Sequence, residues 1–219
     1  ESRGTFLGEF HAEDHIMALH SNGTYVMTGF DFSTHFDDKM ISVEKWDSER
    51  PVSVVYFDGE KEDWYVKRFL TELSLKAVSF IGDNANSRLA FATSLYHPQA
   101  RVKFNRRFKH TRDKVDEIVD LRGFISLKGF KALGNKLSSL PVTEVLLEPA
   151  NTDLENAVAL EILEARKADD LIDQASESVA SETAVSGDVD VPEDVASDQA
   201  SDSDEDSAAF GENGQSTLF

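Results

Sequence analysis

The chain has 219 residues and no cysteine. That absence removes disulfides, thiol nucleophiles and thiolate zinc sites, and it suits a reducing compartment such as the cytoplasm. No run of about 18 apolar residues occurs, which excludes a membrane-spanning helix. A phosphate-cradling glycine loop is missing as well. Its nearest approach, Lys131-Ala132-Leu133-Gly134-Asn135-Lys136, lacks the second Gly and the Lys-Ser/Thr ending of a P-loop. The opening Glu1-Ser2-Arg3-Gly4 has neither an initiator Met nor the apolar stretch of a signal peptide, and it reads as the interior of a longer polypeptide.

Aromatic residues become scarce along the chain. Nineteen of the 21 lie in the first 150 residues, leaving only Phe210 and Phe219 beyond. Charge divides at the same place: residues 1–150 hold 20 Lys+Arg against 22 Asp+Glu, whereas residues 151–219 hold 2 against 19. The formal net charge of -19 therefore describes the last third, which cannot bury enough apolar surface to fold alone. At roughly 150 residues per domain, the length allows one or two domains. We read a folded body over residues 1–148, a linker and helix over 149–179, and a disordered acidic tail over 180–219.

The body reads as all-β. Ile16 to His20, Ser21-Asn22-Gly23 and Thr24 to Phe30 form one hairpin, with Asn-Gly supplying the positive φ angles of a tight turn. Because no secretory signal precedes it, Asn22-Gly23-Thr24 is read as that turn and not as a glycosylation acceptor. Val52 to Phe57 leads through Asp58-Gly59 and a charged tip, Glu60 to Asp63, into Trp64 to Phe69. Leu89 to Ser94 leads through Tyr96-His97-Pro98 into Ala100 to Phe104, and Phe124 to Leu127 opens a shorter copy ending at Phe130. The segments TYVMTGF, WYVKRF, ARVKF and ISLKGF each close on Phe, at positions 30, 69, 104 and 130. Spacings of 39, 35 and 26 residues suit stacked or radial repeats, although a plain antiparallel sandwich would also place Phe at strand ends. Linking strands are expected at Met40 to Trp46 and Lys76 to Ile81, and a loop at Gly82 to Ser87. Past Pro149, Leu154, Val158, Ile162, Leu171 and Ile172 recur at near-helical spacing and predict one helix from Asp153 to about Glu177. Ser201 to Ser207, SDSDEDS, typifies the tail.

Two clusters invite a chemical reading. His11-Ala12-Glu13-Asp14-His15 approaches a zinc-protease HExxH, but Glu stands two places after the first His and the segment runs into a strand, where the histidines cannot share one metal. The adjacent pairs Asp37-Asp38 and Asp116-Glu117 would point to opposite faces of a strand, which is poor geometry for acid–base work. The second cluster is basic. Between Gln99 and Lys136 stand 11 basic and 4 acidic residues, a local net of +7. Arg101 and Lys103 alternate with Val102 and Phe104, which places both charges on the solvated face of a strand. Such a face beside a basic loop is a track for phosphates, whose counterions drive nonspecific affinity. The same strip also reads as an ordinary basic surface that docks the acidic tail.

The run Leu121–Ser138, LRGFISLKGFKALGNKLS, together with Gly4 to Phe10 (GTFLGEF), Asn22-Gly23 to Phe32 and Val66-Lys67-Arg68-Phe69, resembles the C-terminal region of the A subunit of bacterial topoisomerase IV, which is related to the A subunit of DNA gyrase. The similarity covers about residues 1–145, and its most specific piece is F-I-x-x-K-x-F-K-A-x-G-x-K. It implies a partial or small β-pinwheel, a propeller-like disc whose blades swap strands and whose basic rim binds and bends DNA. It also implies that the DNA-attacking tyrosine, its arginine and the acidic metal ligands lie in an upstream breakage-reunion domain. None of Tyr25, Tyr56, Tyr65 or Tyr96 is then the nucleophile, and no cofactor or metal belongs to this chain, Mg and ATP serving the holoenzyme. Lys131 to Lys136 lacks the Gln-Arg-Arg-Gly-Gly pattern of the gyrase box, which favours a decatenating topoisomerase IV over a supercoiling gyrase.

The resemblance thus implies a noncatalytic DNA-holding domain, cytoplasmic and nucleoid-associated. Its partners would be duplex DNA, the ATPase B subunit (through the upstream region) and a second A subunit, with no membrane. Arg101, Lys103, Arg106, Arg107, Lys109, Lys128, Lys131 and Lys136 are the expected phosphate contacts. The rival reading is a β-repeat platform whose acidic tail engages a basic protein.

Overall fold

The computed structural model describes residues 6–31 and 33–183. The chain divides into two units, Glu1–Asp170 and Leu171–Phe219, and every strand among the described residues lies in the first. The first hairpin pairs β1 (Ile16–His20) with β2 (Thr24–Thr28), and Gly23 turns it at φ +78°. β3 (Met40–Lys45) pairs with the other side of β1. The second hairpin joins β4 (Val52–Asp58) to β5 (Asp63–Phe69). Its turn is fixed by the Asp58 carboxylate, which accepts from the amides of Glu60 (3.0 Å) and Lys61 (2.9 Å). β6 (Val78–Ser79) and β7 (Arg88–Thr93) follow, then a third hairpin of β8 (Gln99–Phe104) and β9 (Glu117–Asp120). A single helical turn, α1 (Leu121–Phe124), precedes β10 (Asn135–Lys136) and β11 (Val142–Leu147).

The strands form three antiparallel sheets, in the orders β3-β1-β2-β6, β10-β5-β4-β7 and β11-β8-β9. The chain doubles back between them. After finishing β5 it returns to the first sheet to lay β6 against β2, and only then adds β7 to the second. It repeats the manoeuvre with β10, which pairs with β5 before β11 joins the third sheet. The second and third repeats therefore each complete the sheet before them, the exchange expected of a propeller-like array.

The middle sheet explains its own sequence. Val52, Val54 and Tyr56 face a core shared with Leu19, Tyr25, Met27 and Phe69, whereas Val55 faces a second core with Trp64, Val66, Val102 and Leu121. With both faces covered, β4 is buried from Val52 through Tyr56, an apolar run interrupted only by Ser53, and does not alternate. Each such side chain stabilises the fold by about 1.5–3 kcal/mol relative to exposure.

Two expectations about strands are corrected. Leu89–Ser94 and Ala100–Phe104 do not form a hairpin: β7 pairs with β4, β8 pairs with β9 and β11, and the Leu95–Pro98 loop carries the chain from one sheet to the next. Phe124–Phe130 is not a fourth strand. Asp120 caps α1 by accepting from the amides of Arg122 (2.9 Å) and Gly123 (3.2 Å), while buried Leu121 anchors the turn. Among the closing phenylalanines, Phe69 and Phe104 are core, Phe130 is partly buried and Phe30 is exposed.

Past Pro149, Asn151 caps α2 (Thr152–Thr183), its side-chain oxygen accepting from Asp153 (3.1 Å) and Leu154 (3.2 Å). Within the first unit, Val158 is the buried residue of this helix. Glu155 accepts from the amides of Tyr96 (2.8 Å) and His97 (2.7 Å), and Arg166 pairs with Asp47 (3.2 Å) and Glu49 (2.6 Å). In the second unit Leu171 and Ile172 are exposed. The expected disordered tail falls, beyond Thr183, outside the described residues.

Candidate nucleic-acid interface

Each hairpin ends in a tip, and the three tips differ in charge. Ser21-Asn22-Gly23 carries none, and Gly59–Glu62 carries two glutamates and one lysine. The tip between β8 and β9 is longer, with Arg106, Arg107, Lys109, Arg112 and Lys114 against Asp113 and Asp116. Its shape is set locally. The buried Thr111 hydroxyl donates to the carbonyl of Asn105, the Thr111 amide donates to Phe108 O (3.1 Å), and the Asn105 amide donates to Pro141 O (2.8 Å). One buried side chain thus holds a ring of exposed cations.

The eight sequence-derived contacts fall into two groups. Arg101 makes a two-pronged pair with Glu148, the residue just past neighbouring β11 (2.6 and 2.8 Å), and Lys103 meets Glu144 on β11 at 2.8 Å. Their solvated strand face is therefore neutralised across the sheet. The hydrogen bond from Arg101 holds the Glu148 carboxyl below its ordinary range and raises the guanidinium in turn. Arg106 approaches Asp116 at 3.8 Å, and Lys136 pairs with Asp63, which raises its ammonium. Arg107, Lys109, Lys128 and Lys131 are exposed and, among the described residues, make no ion pair. Arg112 shares that state; it belonged to the basic strip but not to the eight, and only its place in the tip distinguishes it. Arg107, Lys109 and Arg112 stand together on the tip, whereas Lys128 and Lys131 lie on the segment that runs along β5, where the Lys128 amide donates to Arg68 O (2.8 Å).

A second pair of cations is buried. Lys67 is 3% exposed, and its ammonium donates to the carbonyls of Phe130 (2.9 Å) and Ala132 (3.2 Å) beneath the rings of Tyr56 and Phe69. Burial pushes it down to about 8. Arg68 donates to the Ser53 hydroxyl (3.1 Å) and to Arg122 O (3.4 Å). Both residues of the Lys67-Arg68 motif thus clip the incoming segment to β5 and are not surface cations.

The remaining candidates take structural places. Asp14 of the His11–His15 cluster pairs with Lys45 (2.6 Å) and accepts from the His11 amide (2.6 Å), and the Lys45 hydrogen bond lowers its carboxyl. Among the described residues no group of three or more His, Asp or Glu is placed to hold a metal ion. Tyr25 and Tyr56 are buried, with Tyr56 donating to Leu133 O (2.7 Å), and burial raises both phenols. The Arg50 guanidinium lies 4.6 Å from the Tyr96 ring centre. No helix among the described residues is long and apolar enough to cross a membrane.

Three antiparallel sheets linked by exchanged strands, with a group of cations unpaired among the described residues on the longest hairpin tip, define a β-repeat domain of propeller-like type. The chain belongs to the topoisomerase C-terminal domain family of Bacteroidota, whose family profile matches residues 1–149, all three sheets included. Comparisons with curated proteins and with solved structures find no match.

Proposed function

We propose that this chain is the DNA-holding C-terminal domain of the A subunit of a type II topoisomerase, of the topoisomerase IV kind, acting without cofactor or metal of its own. It holds and bends one duplex for ATP-dependent strand passage by the holoenzyme, whose other parts are the ATPase subunit together with a second A subunit. Family membership supports a topoisomerase setting, and one observation carries the DNA contact: the β8–β9 tip gathers exposed cations that, among the described residues, no carboxylate neutralises. Such groups contact phosphates, which position a duplex without reading its sequence. The working set is Arg107, Lys109, Arg112, Lys128 and Lys131, with Arg106 at its margin; Arg101, Lys103 and Lys136 contribute only where DNA displaces their carboxylates.

Five neutralised phosphates give a slope of about -4.5 for log K against log salt. Fluorescence anisotropy of a labelled duplex, titrated with the chain at several salt concentrations, measures it. A flat response, or no binding at the lowest salt, would favour the protein-interaction platform. In that second reading α2 is the notable element, since Glu161 already pairs with Arg122 at 3.3 Å.

A further inference from the structure

Two of the three sheets receive an outer strand from the next repeat, and the third does not. β6 covers β2 and β10 covers β5, but among the described residues β9 pairs only with β8. The exchanged segments follow one pattern. On the first sheet, the Met27 amide donates to Ser74 O (2.8 Å) and the Phe80 amide to Gly23 O (2.9 Å). On the second, the Lys128 amide donates to Arg68 O and the Leu137 amide to Trp64 O (2.8 Å each). Each two-residue strand is followed at once by a buried apolar side chain, Phe80 after β6 and Leu137 after β10.

The exchanging segment always lies between the second hairpin strand and the outer strand of its own repeat. In the first repeat that place is taken by the stretch between β2 and β3. None of its residues Ser33–Lys39 joins a sheet, and Phe36 is 37% exposed. The side-chain bonds holding it are Asp37 to His20 (3.5 Å) and the Thr34 hydroxyl to Gly29 O (3.2 Å). At the other end of the array, Ile118 on β9 is 44% exposed. Beside it lies a cavity of about 220 Å³ lined by Val102, Phe104, Ile118, Val119, Phe124 and Leu137, with Glu117 and Ser138 at its polar side. Among the described residues there is thus one donor segment that joins no sheet and one acceptor edge that receives no strand.

We propose that the β9 edge accepts Ser33–Lys39 of a second copy, so that copies associate head to tail through the exchange that joins repeats within one chain. By the pattern of β6 and β10, His35 pairs near the start of β9 and Phe36 fills the cavity. Asp37 and Asp38 then arrive at the tip that carries Arg107, Lys109 and Arg112, so charge complementarity favours a second copy over an unrelated strand. The contact is heterologous and propagates unless its rotation closes a ring. The tip cations are also the proposed DNA contacts, so the test is made without DNA.

Sedimentation velocity on the whole chain, without DNA, tests this from about 1 to 200 µM, a range suited to a small interface. The expected result is association that grows with concentration. Phe36→Ser weakens it by roughly ten- to a hundred-fold, the effect of exposing one such side chain. Ile118→Lys, which charges the edge, abolishes it. Mixing these two variants gives a 1:1 pair and nothing larger, because one keeps the acceptor and the other the donor. His35→Pro removes a donor N–H without touching Phe36 and repeats the Phe36→Ser result, so lost packing at position 36 alone does not decide the outcome. A monomer at every concentration, association that survives both variants, or variants that fail to pair would overturn the proposal.

Discussion

Replacing Lys67 with Met removes a buried charge that the fold carries at a cost, and the change in stability depends on pH. The ammonium is pushed from an ordinary 10.5 to about 8. A cation whose pKa is lower in the folded state disfavours folding while it is protonated. Its stabilising contribution is complete above the unfolded value and is lost as pH falls through the folded value. Wild-type stability therefore rises with pH between about 8 and 10.5. From pH 7 to 9.5 the linkage amounts to about 2 kcal/mol, discounted to about 1 kcal/mol because Lys67 lines a surface cavity with Asp83 and Lys131, where nearby water screens part of the charge. Staying below pH 10 avoids Tyr25 and Tyr56, whose raised pKa values act in the opposite sense. Urea denaturation of both proteins at several pH values provides the assay. With a slope near 2 kcal/mol per M, the wild-type midpoint should rise by about 0.5 M relative to that of Lys67→Met. Midpoints that move in parallel would refute the reasoning.

Two further outcomes concern single residues. Gly134 lies at φ +90°, and a side chain there would strike the Val66 carbonyl, so Gly134→Ala should cost about 2–3 kcal/mol and lower the melting temperature by roughly 5–10 °C; an unchanged melting curve would mean that the β10 junction relaxes freely. In DNA binding, Arg107→Ala should make the salt slope shallower by about 0.9, whereas Arg101→Ala, whose guanidinium already holds Glu148, should leave it unchanged. The opposite ranking would locate the interface on the strand face.

Much of the sheet is legible in the sequence wherever its cause is local. Asn22-Gly23 and Asp58-Gly59 mark their turns, and Met40–Lys45 is a strand as its pattern predicts. Of the two exchanged strands, β6 lies within the linking strand expected at Lys76 to Ile81, whereas the exchange itself is expected only by resemblance, and Asn135-Lys136 carries no periodicity and becomes a strand only against Tyr65 and Val66. β7 and β8 show the converse: they follow one another in the chain across a short loop, yet they belong to different sheets. At the candidate site, composition identifies the basic stretch, but the ion pair of Arg101 with a carboxylate 47 residues away cannot be read from spacing. The tip, held by Thr111, emerges only when β8 and β9 pair.

The doubling back of the chain has a consequence for biosynthesis. β2 leaves the ribosome about 50 residues before Val78 does, and at 5–20 residues per second its edge waits several seconds for the strand that covers it. β5 waits longer, until Asn135. During translation each of the first two sheets is thus an unfinished template whose completion is timed by the next repeat, and a ribosome that stalls between repeats leaves an open edge behind it.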